Sequence, residues 1–171
     1  MNGILSLRIP EWSNKYQLKV NGILRSVKVD EHGYVNVSQP WKRGNTVELM
    51  LDLSEKLMVS NPLIEESKNQ VTVKRGPLVY CLESADIKGE NVFNLSLSAN
   101  AVFKTIPMKI GNGNVVGLQT SMNVSDDRNW EKSLYQEYKP STKKQSAVLI
   151  PYYAWANRGK SDMTVWIPLA Q

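Results

Sequence analysis

Only one cysteine and one histidine occur in the 171 residues, and each scarcity excludes a class of chemistry. A lone cysteine, Cys81, rules out an internal disulfide and any zinc site built from several thiolates. A lone histidine, His32, would have to serve any Ser-His-Asp or Cys-His pair. It precedes Gly33 in a turn-like string, where a solvent-exposed turn residue is the simpler reading. No run reaches the roughly 18 apolar residues of a membrane-spanning helix. The N-terminal MNGILSLRIPEW lacks the basic and apolar regions of a signal peptide and enters an alternating pattern at once, which suggests a piece of a larger fold. There is no Walker loop, no dinucleotide-binding glycine pattern and no metalloprotease helix. No extended stretch sustains the apolar period of a helix, so strands rather than helices are expected.

Clustered charge is also missing. The 21 Lys and Arg give a net charge of +5, but the densest runs are pairs such as Lys42-Arg43 and Lys74-Arg75. A nucleic-acid binder concentrates such charge in a stripe or a reading motif, so the surface reads as solvated, with no nucleic-acid partner and no membrane. Apolar residues at 42% and charged residues at 22% fit a folded chain. This length suffices for one domain or two small β domains.

What is present is a succession of short alternating segments. ILSLRI (4–9) places Leu5, Leu7 and Ile9 on one face and stops at Pro10. YQLKV (16–20) alternates and is followed by Asn21-Gly22, a strong two-residue hairpin signal because both positions need positive φ. Residues 24–29 return. Tyr34-Val35-Asn36-Val37 makes a third strand, and TVELMLDL (46–53) a fourth, with Val47, Leu49, Leu51 and Leu53 on one face. Residues 57–70 lack a period and read as a crossing. Further strands are expected at 92–97, 101–106, 115–120, 133–138, 147–153 and 163–167, with turns at Asn112-Gly113-Asn114 and in the polar loop 125–129. Short strands at such regular spacing, with turn signals between them, point to an all-β sandwich or barrel.

The stretch 71–86, VTVKRGPLVYCLESAD, organises the rest. It reads as a strand, a Gly76-Pro77 break and a second strand that is apolar at nearly every position, hence covered on both faces. Cys81 inside it is expected to pack as a small hydrophobe, since a reactive thiol needs exposure and a cationic neighbourhood. Glu65-Glu66 and Asp126-Asp127 are adjacent carboxylates, whereas glycosidase chemistry needs two carboxyls facing each other across a cleft. Among the aromatics, Trp12, Trp41, Tyr152, Tyr153, Trp155 and Trp166 could make a sugar-stacking platform or a docking face. Tyr80 and Trp166 read as core. Tyr152, Tyr153 and Trp155, beside Asn157 and Arg158, stay open between core and an interface or sugar contact.

Several strings together resemble one family: Leu7-Arg8-Ile9-Pro10-Glu11-Trp12, Val20-Asn21-Gly22, Gly33-Tyr34 with Trp41 and Gly44, KRGPLVYCLESAD (74–86), and IPYYAWANR (150–158) with MTVWI (163–167). Their order and spacing are similar to the C-terminal region of glycoside hydrolase family 127, typified by bacterial β-L-arabinofuranosidases. The resemblance implies antiparallel, jelly-roll-like β-sandwiches. The first would span 1–86 and lack strands at its N-terminal side; the second would span 87–171. It implies an (α/α)6 catalytic barrel elsewhere in the family protein, with a cysteine nucleophile in a zinc-bound cluster of cysteines and a glutamate. No such cluster matches this chain, so neither catalytic residues nor a cofactor is expected in it. The implied role is a non-catalytic, truncated segment that packs on that barrel. The unpaired edges of an incomplete sandwich make a homodimer an expected partner, and the alternative reading is a carbohydrate-binding module that uses exposed Trp and Tyr. The resemblance leaves its compartment open.

Overall fold

The computed structural model describes residues 2–125, 133–137 and 143–170. Among them every element longer than a short 3₁₀ turn is a strand, in keeping with the missing helical period. Contacts divide the chain into two units, Met1–Ser54 and Glu55–Gln171.

The first unit contains β1 (Asn2–Arg8), β2 (Tyr16–Val20), β3 (Ile23–Arg25), β4 (Tyr34–Pro40) and β5 (Val47–Leu51). β1 pairs with β4, and β3, β2 and β5 form a second sheet, all antiparallel. Their inward residues share one apolar cluster in which Ile9, Leu18, Val20, Val35 and Val37 are buried. Leu7, Val47, Leu49 and Leu51 pack against it as their alternation predicts, while Leu53 is exposed. Asn21 and Gly22 both take positive φ, 52° and 77°, the geometry that lets a two-residue loop follow the strand twist. Asn21 also accepts the Thr46 amide on its side chain at 2.9 Å.

The second unit contains β6 (Glu55–Met58), β7 (Gln70–Arg75), β8 (Leu78–Glu83), β9 (Leu95–Ser98), β10 (Lys104–Ile110), β11 (Gly113–Val124), β12 (Lys144–Pro151), β13 (Met163–Thr164) and β14 (Ile167–Ala170). The hydrogen-bonded order β7-β8-β12-β11-β9-β14 returns to β7. This ring is a closed six-stranded barrel, whereas two separate antiparallel layers were expected. Closure depends on β14, which pairs Ile167 with Val71 antiparallel and Leu169 with Leu97 parallel. The residues of 163–167 do not form one closing strand. They split into β13, bonded to β8, and β14, separated by Val165-Trp166. β6, β10 and β13 extend the sheet beside the ring.

Residues 71–86 lie wholly within this second unit. The stretch is a hairpin within the barrel. Arg75 pairs with Leu78, and Gly76 at φ 56° followed by Pro77 makes the two-residue turn that wants glycine first. The two-sided burial of β8 is as expected. Tyr80 and Leu82 belong to the barrel interior with Leu97, Leu118, Met122 and Leu149, while Cys81 belongs to an outer cluster with Ile110, Val115, Ile150 and Ala154. The Tyr80 hydroxyl donates to the Val116 carbonyl at 3.0 Å. Residues 133–137 form no strand; Tyr138, Asp126-Asp127 and most of the polar loop 125–129 lie outside the described residues.

Candidate functional site

Successive side chains on a strand point to opposite faces, so Glu83, two places beyond Cys81, shares the outer face of β8. A glutamate that ends an apolar strand would be costly there without a partner. Residues 152–162, which follow β12, supply several. Arg158 donates from Nη2 to Glu83 Oε2 and spans both oxygens of Asp86, Nη1 to Oδ1 at 2.7 Å and Nη2 to Oδ2 at 2.5 Å. The Ser161 hydroxyl and the Ala156 backbone amide also donate to Glu83. Ala156 holds φ at 63°, a left-handed conformation that a non-glycine residue keeps only where its surroundings demand it. Here that turn aims its N–H at the carboxylate. The Asn157 side chain donates to the Ala154 and Trp155 carbonyls at 3.1 and 3.3 Å. The Ser84 amide donates to the Asp162 carbonyl at 2.9 Å and the Asp162 amide to the Ser84 hydroxyl at 3.1 Å, which fastens the far end.

The electrostatics follow from this closure. Burial pushes the Glu83 pKa up, but the hydrogen bonds from Ser161 and Arg158 and the Arg158 charge outweigh it and hold the carboxyl below its ordinary value. The two carboxylates drive Arg158 further up from an already high value. Both acids are thus committed to one guanidinium, the bidentate fork that suits Arg. Cys81 is fully buried; burial first, then the charges of Glu83 and Asp86, push its thiol up to about 12. It is a neutral, packed thiol at neutral pH, with no thiolate to attack or to bind metal.

Clamping this loop presents aromatics to solvent. Tyr152, Tyr153 and Trp155 are 48%, 64% and 38% exposed, and Tyr152 stacks on Trp155 with ring centroids 6.3 Å apart and planes 10° from parallel. Tyr152 also lines a cleft of about 490 Å³, with Gln70, Val92, Phe93, Trp166 and Pro168 among its other walls. Trp166, expected in the core, is half-buried at this cleft.

The remaining candidates are dispersed. His32 is exposed, 3.6 Å from Glu31, in a turn organised by Asp30, which accepts the His32 and Tyr34 amides and the Asn36 side chain. The Tyr34 bond foremost holds Asp30 below its usual value. Glu65 and Glu66 are exposed on a 3₁₀ turn. Trp12 and Trp41 belong to the first unit, where the Trp41 indole donates to the Gly3 carbonyl at 3.0 Å. The Glu83–Asp86–Arg158 cluster was not foreseen. Its sequence signal was the persistence of charge at the ends of two otherwise apolar strings, LVYCLESAD and IPYYAWANR.

Residues 55–168 match the family model for the glycoside hydrolase family 127 C-terminal domain. The chain belongs to glycoside hydrolase family 127. Residues 2–53 match the family's β-L-arabinofuranosidase middle domain, so the two matches meet where the contacts divide. A non-reducing end β-L-arabinofuranosidase of Bifidobacterium longum subsp. longum is 34% identical over 170 residues, 94% of this chain and 25% of that protein. A solved structure described as a glycoside hydrolase superposes with a TM-score of 0.91 at 42% identity, covering 99% of this chain and 28% of its own. A family 127 β-L-arabinofuranosidase from Geobacillus stearothermophilus T6 gives 0.90 at 30% identity, with 99% and 27% covered. The chain thus spans about a quarter of the relatives it matches. The zinc–thiolate site that the resemblance implies for the family does not fit the residues present: the single cysteine is a buried neutral thiol. Among the described residues, no three His, Cys, Asp or Glu side chains are grouped to hold a metal.

Proposed function

We propose that this chain is a non-catalytic β module of a family 127 glycoside hydrolase. Its role is to support the catalytic barrel that the family resemblance implies elsewhere in such a protein, with L-arabinofuranosides as the substrates of the whole. The observation that carries this reading is the state of the reactive groups. Both carboxylates near β8 are paired with Arg158, and the one thiol is buried and protonated. Most glycoside hydrolases set two carboxyl groups facing each other across a cleft, whereas these two acids share one cation, and the cysteine that the family resemblance would use as nucleophile has no counterpart in the buried thiol. The exposed face formed by Tyr152, Tyr153 and Trp155, held by Asn157 and Arg158, is the surface we assign to docking on the barrel or on a second copy. Tyr and Trp on a pre-ordered loop give contact area at low entropic cost. Incubation of this chain with a chromogenic β-L-arabinofuranoside should release no product above the blank. Turnover that disappears in Cys81→Ala would overturn the reading.

The stacked Tyr152–Trp155 pair favours a second reading, carbohydrate binding, because parallel aromatic faces match the apolar faces of sugar rings. Its test is tryptophan fluorescence during titration with arabinan oligosaccharides. A saturable change supports it, and an unchanged spectrum at millimolar sugar removes it.

A further inference from the structure

We propose that the cleft of the barrel unit is a binding site for a single neutral sugar ring. The proposal rests on the carbohydrate-binding reading and locates it. At about 490 Å³ the cleft falls within the size range of small-molecule sites. Its lining combines Phe93, Tyr152, Trp166 and Pro168 with the polar residues Gln70 and Thr164. Phe93 is 62% exposed, so a large apolar face stands open to water at the rim.

Two polar groups narrow the choice of occupant. The Gln70 amide and the Trp166 indole N–H make no hydrogen bond among the described residues, although both residues line the cleft. The Thr164 hydroxyl donates to the Trp166 carbonyl at 2.7 Å and retains lone pairs to accept a bond. A purely apolar ligand would leave the amide and the indole unmatched. Charge narrows it further. Among the described residues, no Asp, Glu, Lys, Arg or His lines the cleft. Nothing there compensates the desolvation of a phosphate, a carboxylate or an ammonium. A ligand with an apolar face, a rim of hydroxyls and no charge satisfies all three conditions, and a neutral sugar is that ligand.

The position of the cleft is set by the barrel closure. Gln70 lies on β7 opposite Pro168 of β14, Thr164 lies on β13, and Trp166 sits in the break between β13 and β14. The break that lets β14 close the ring also places the indole at the cleft. On the other side, Phe93 comes from a 3₁₀ turn whose Asn91 side chain accepts the Phe93 amide at 3.0 Å.

The test is a two-dimensional NMR titration of the full chain with methyl α-L-arabinofuranoside, and with glucuronate as a charged control. The indole N–H signal of Trp166 is identified by its loss in Trp166→Phe, and the Gln70 amide pair by its loss in Gln70→Leu. Both signals should shift saturably with a Kd on the order of 1 mM for the neutral sugar, and neither with glucuronate. Gln70→Leu, which keeps the side-chain volume, should weaken binding about tenfold, as expected when a ligand hydroxyl loses its partner. Phe93→Ala, at an exposed position, should weaken it about threefold. No shift of either signal at sugar concentrations far above that Kd overturns the proposal, as does an equal response to glucuronate. Shifts that follow protein concentration in the absence of sugar overturn it in favour of a second copy covering the cleft. None of these outcomes bears on hydrolysis, so the non-catalytic reading stands or falls on its own assay.

Discussion

The two units use the same β-strand chemistry to different depth. In the first, two small sheets share a cluster with five buried apolar residues, and Ile23, Leu24 and Met50 remain exposed. In the second, the ring of strands closes, and fourteen of the described residues form its buried apolar cluster. Small sheets leave edges whose N–H and C=O groups must find water or another chain, whereas closure pairs them within the sheet. A unit as short as Met1–Ser54 is near the size at which one core barely offsets chain entropy. The larger core of the barrel tolerates a buried glutamate on its outer face. Among the described residues of the first unit, no charged side chain is buried.

The largest effect that would test this contrast is at Arg158. Arg158→Met should destabilise the barrel by about 3–5 kcal/mol, because Glu83 is left charged and buried without its partner. The denaturant midpoint measures it, and a loss below about 1 kcal/mol would show the cluster to be a surface pairing. Next come matched core truncations. Leu82→Ala and Leu18→Ala both delete fully buried side chains and should each cost about 2–5 kcal/mol. Hydrogen exchange should locate the damage in different places, with Leu18→Ala raising exchange in residues 2–54 and leaving barrel amides protected. Equal loss of protection in both units would erase the distinction.

Acid gives a third comparison. Glu83 has a folded pKa below its ordinary value, so it stabilises the fold fully above the ordinary carboxylate range. That contribution is lost as the pH falls through the folded pKa. Urea midpoints between pH 7 and pH 3 should fall more steeply for the wild type than for Glu83→Gln, which cannot titrate. Parallel slopes would contradict the ion cluster. The smallest effect is at the hairpin. Gly76→Ala, at φ 56°, should cost about 1 kcal/mol, whereas the same change at Gly3, where φ is not positive, lacks that backbone penalty. Its added Cβ would still come 3.2 Å from the Trp41 ring.

Legibility differed between the units in the same way as their cores. Strand faces in the first unit follow from alternation alone: Leu5, Leu7 and Ile9 point inward and Ile4 outward, and the Asn21-Gly22 turn follows from the φ it needs. In the second unit the fully apolar run of β8 announced two-sided burial, yet not what lay on each side. Burial of Cys81 was readable from its neighbours. The ion cluster was not, because Asp86 and Glu83 stand 72 and 75 positions from Arg158 in the chain.

The sequence alone determined the all-β character, the hairpin turns, the buried thiol and the family, since each depends on local spacing, backbone preference or short strings. Only the tertiary structure decided that the second sheet closes, that the chain divides before residue 55, and that Arg158 meets two acids. Those outcomes depend on strand pairings between distant segments, above all β14 between β7 and β9. A two-residue alternation says which face of a strand is buried and leaves open which strand lies beside it.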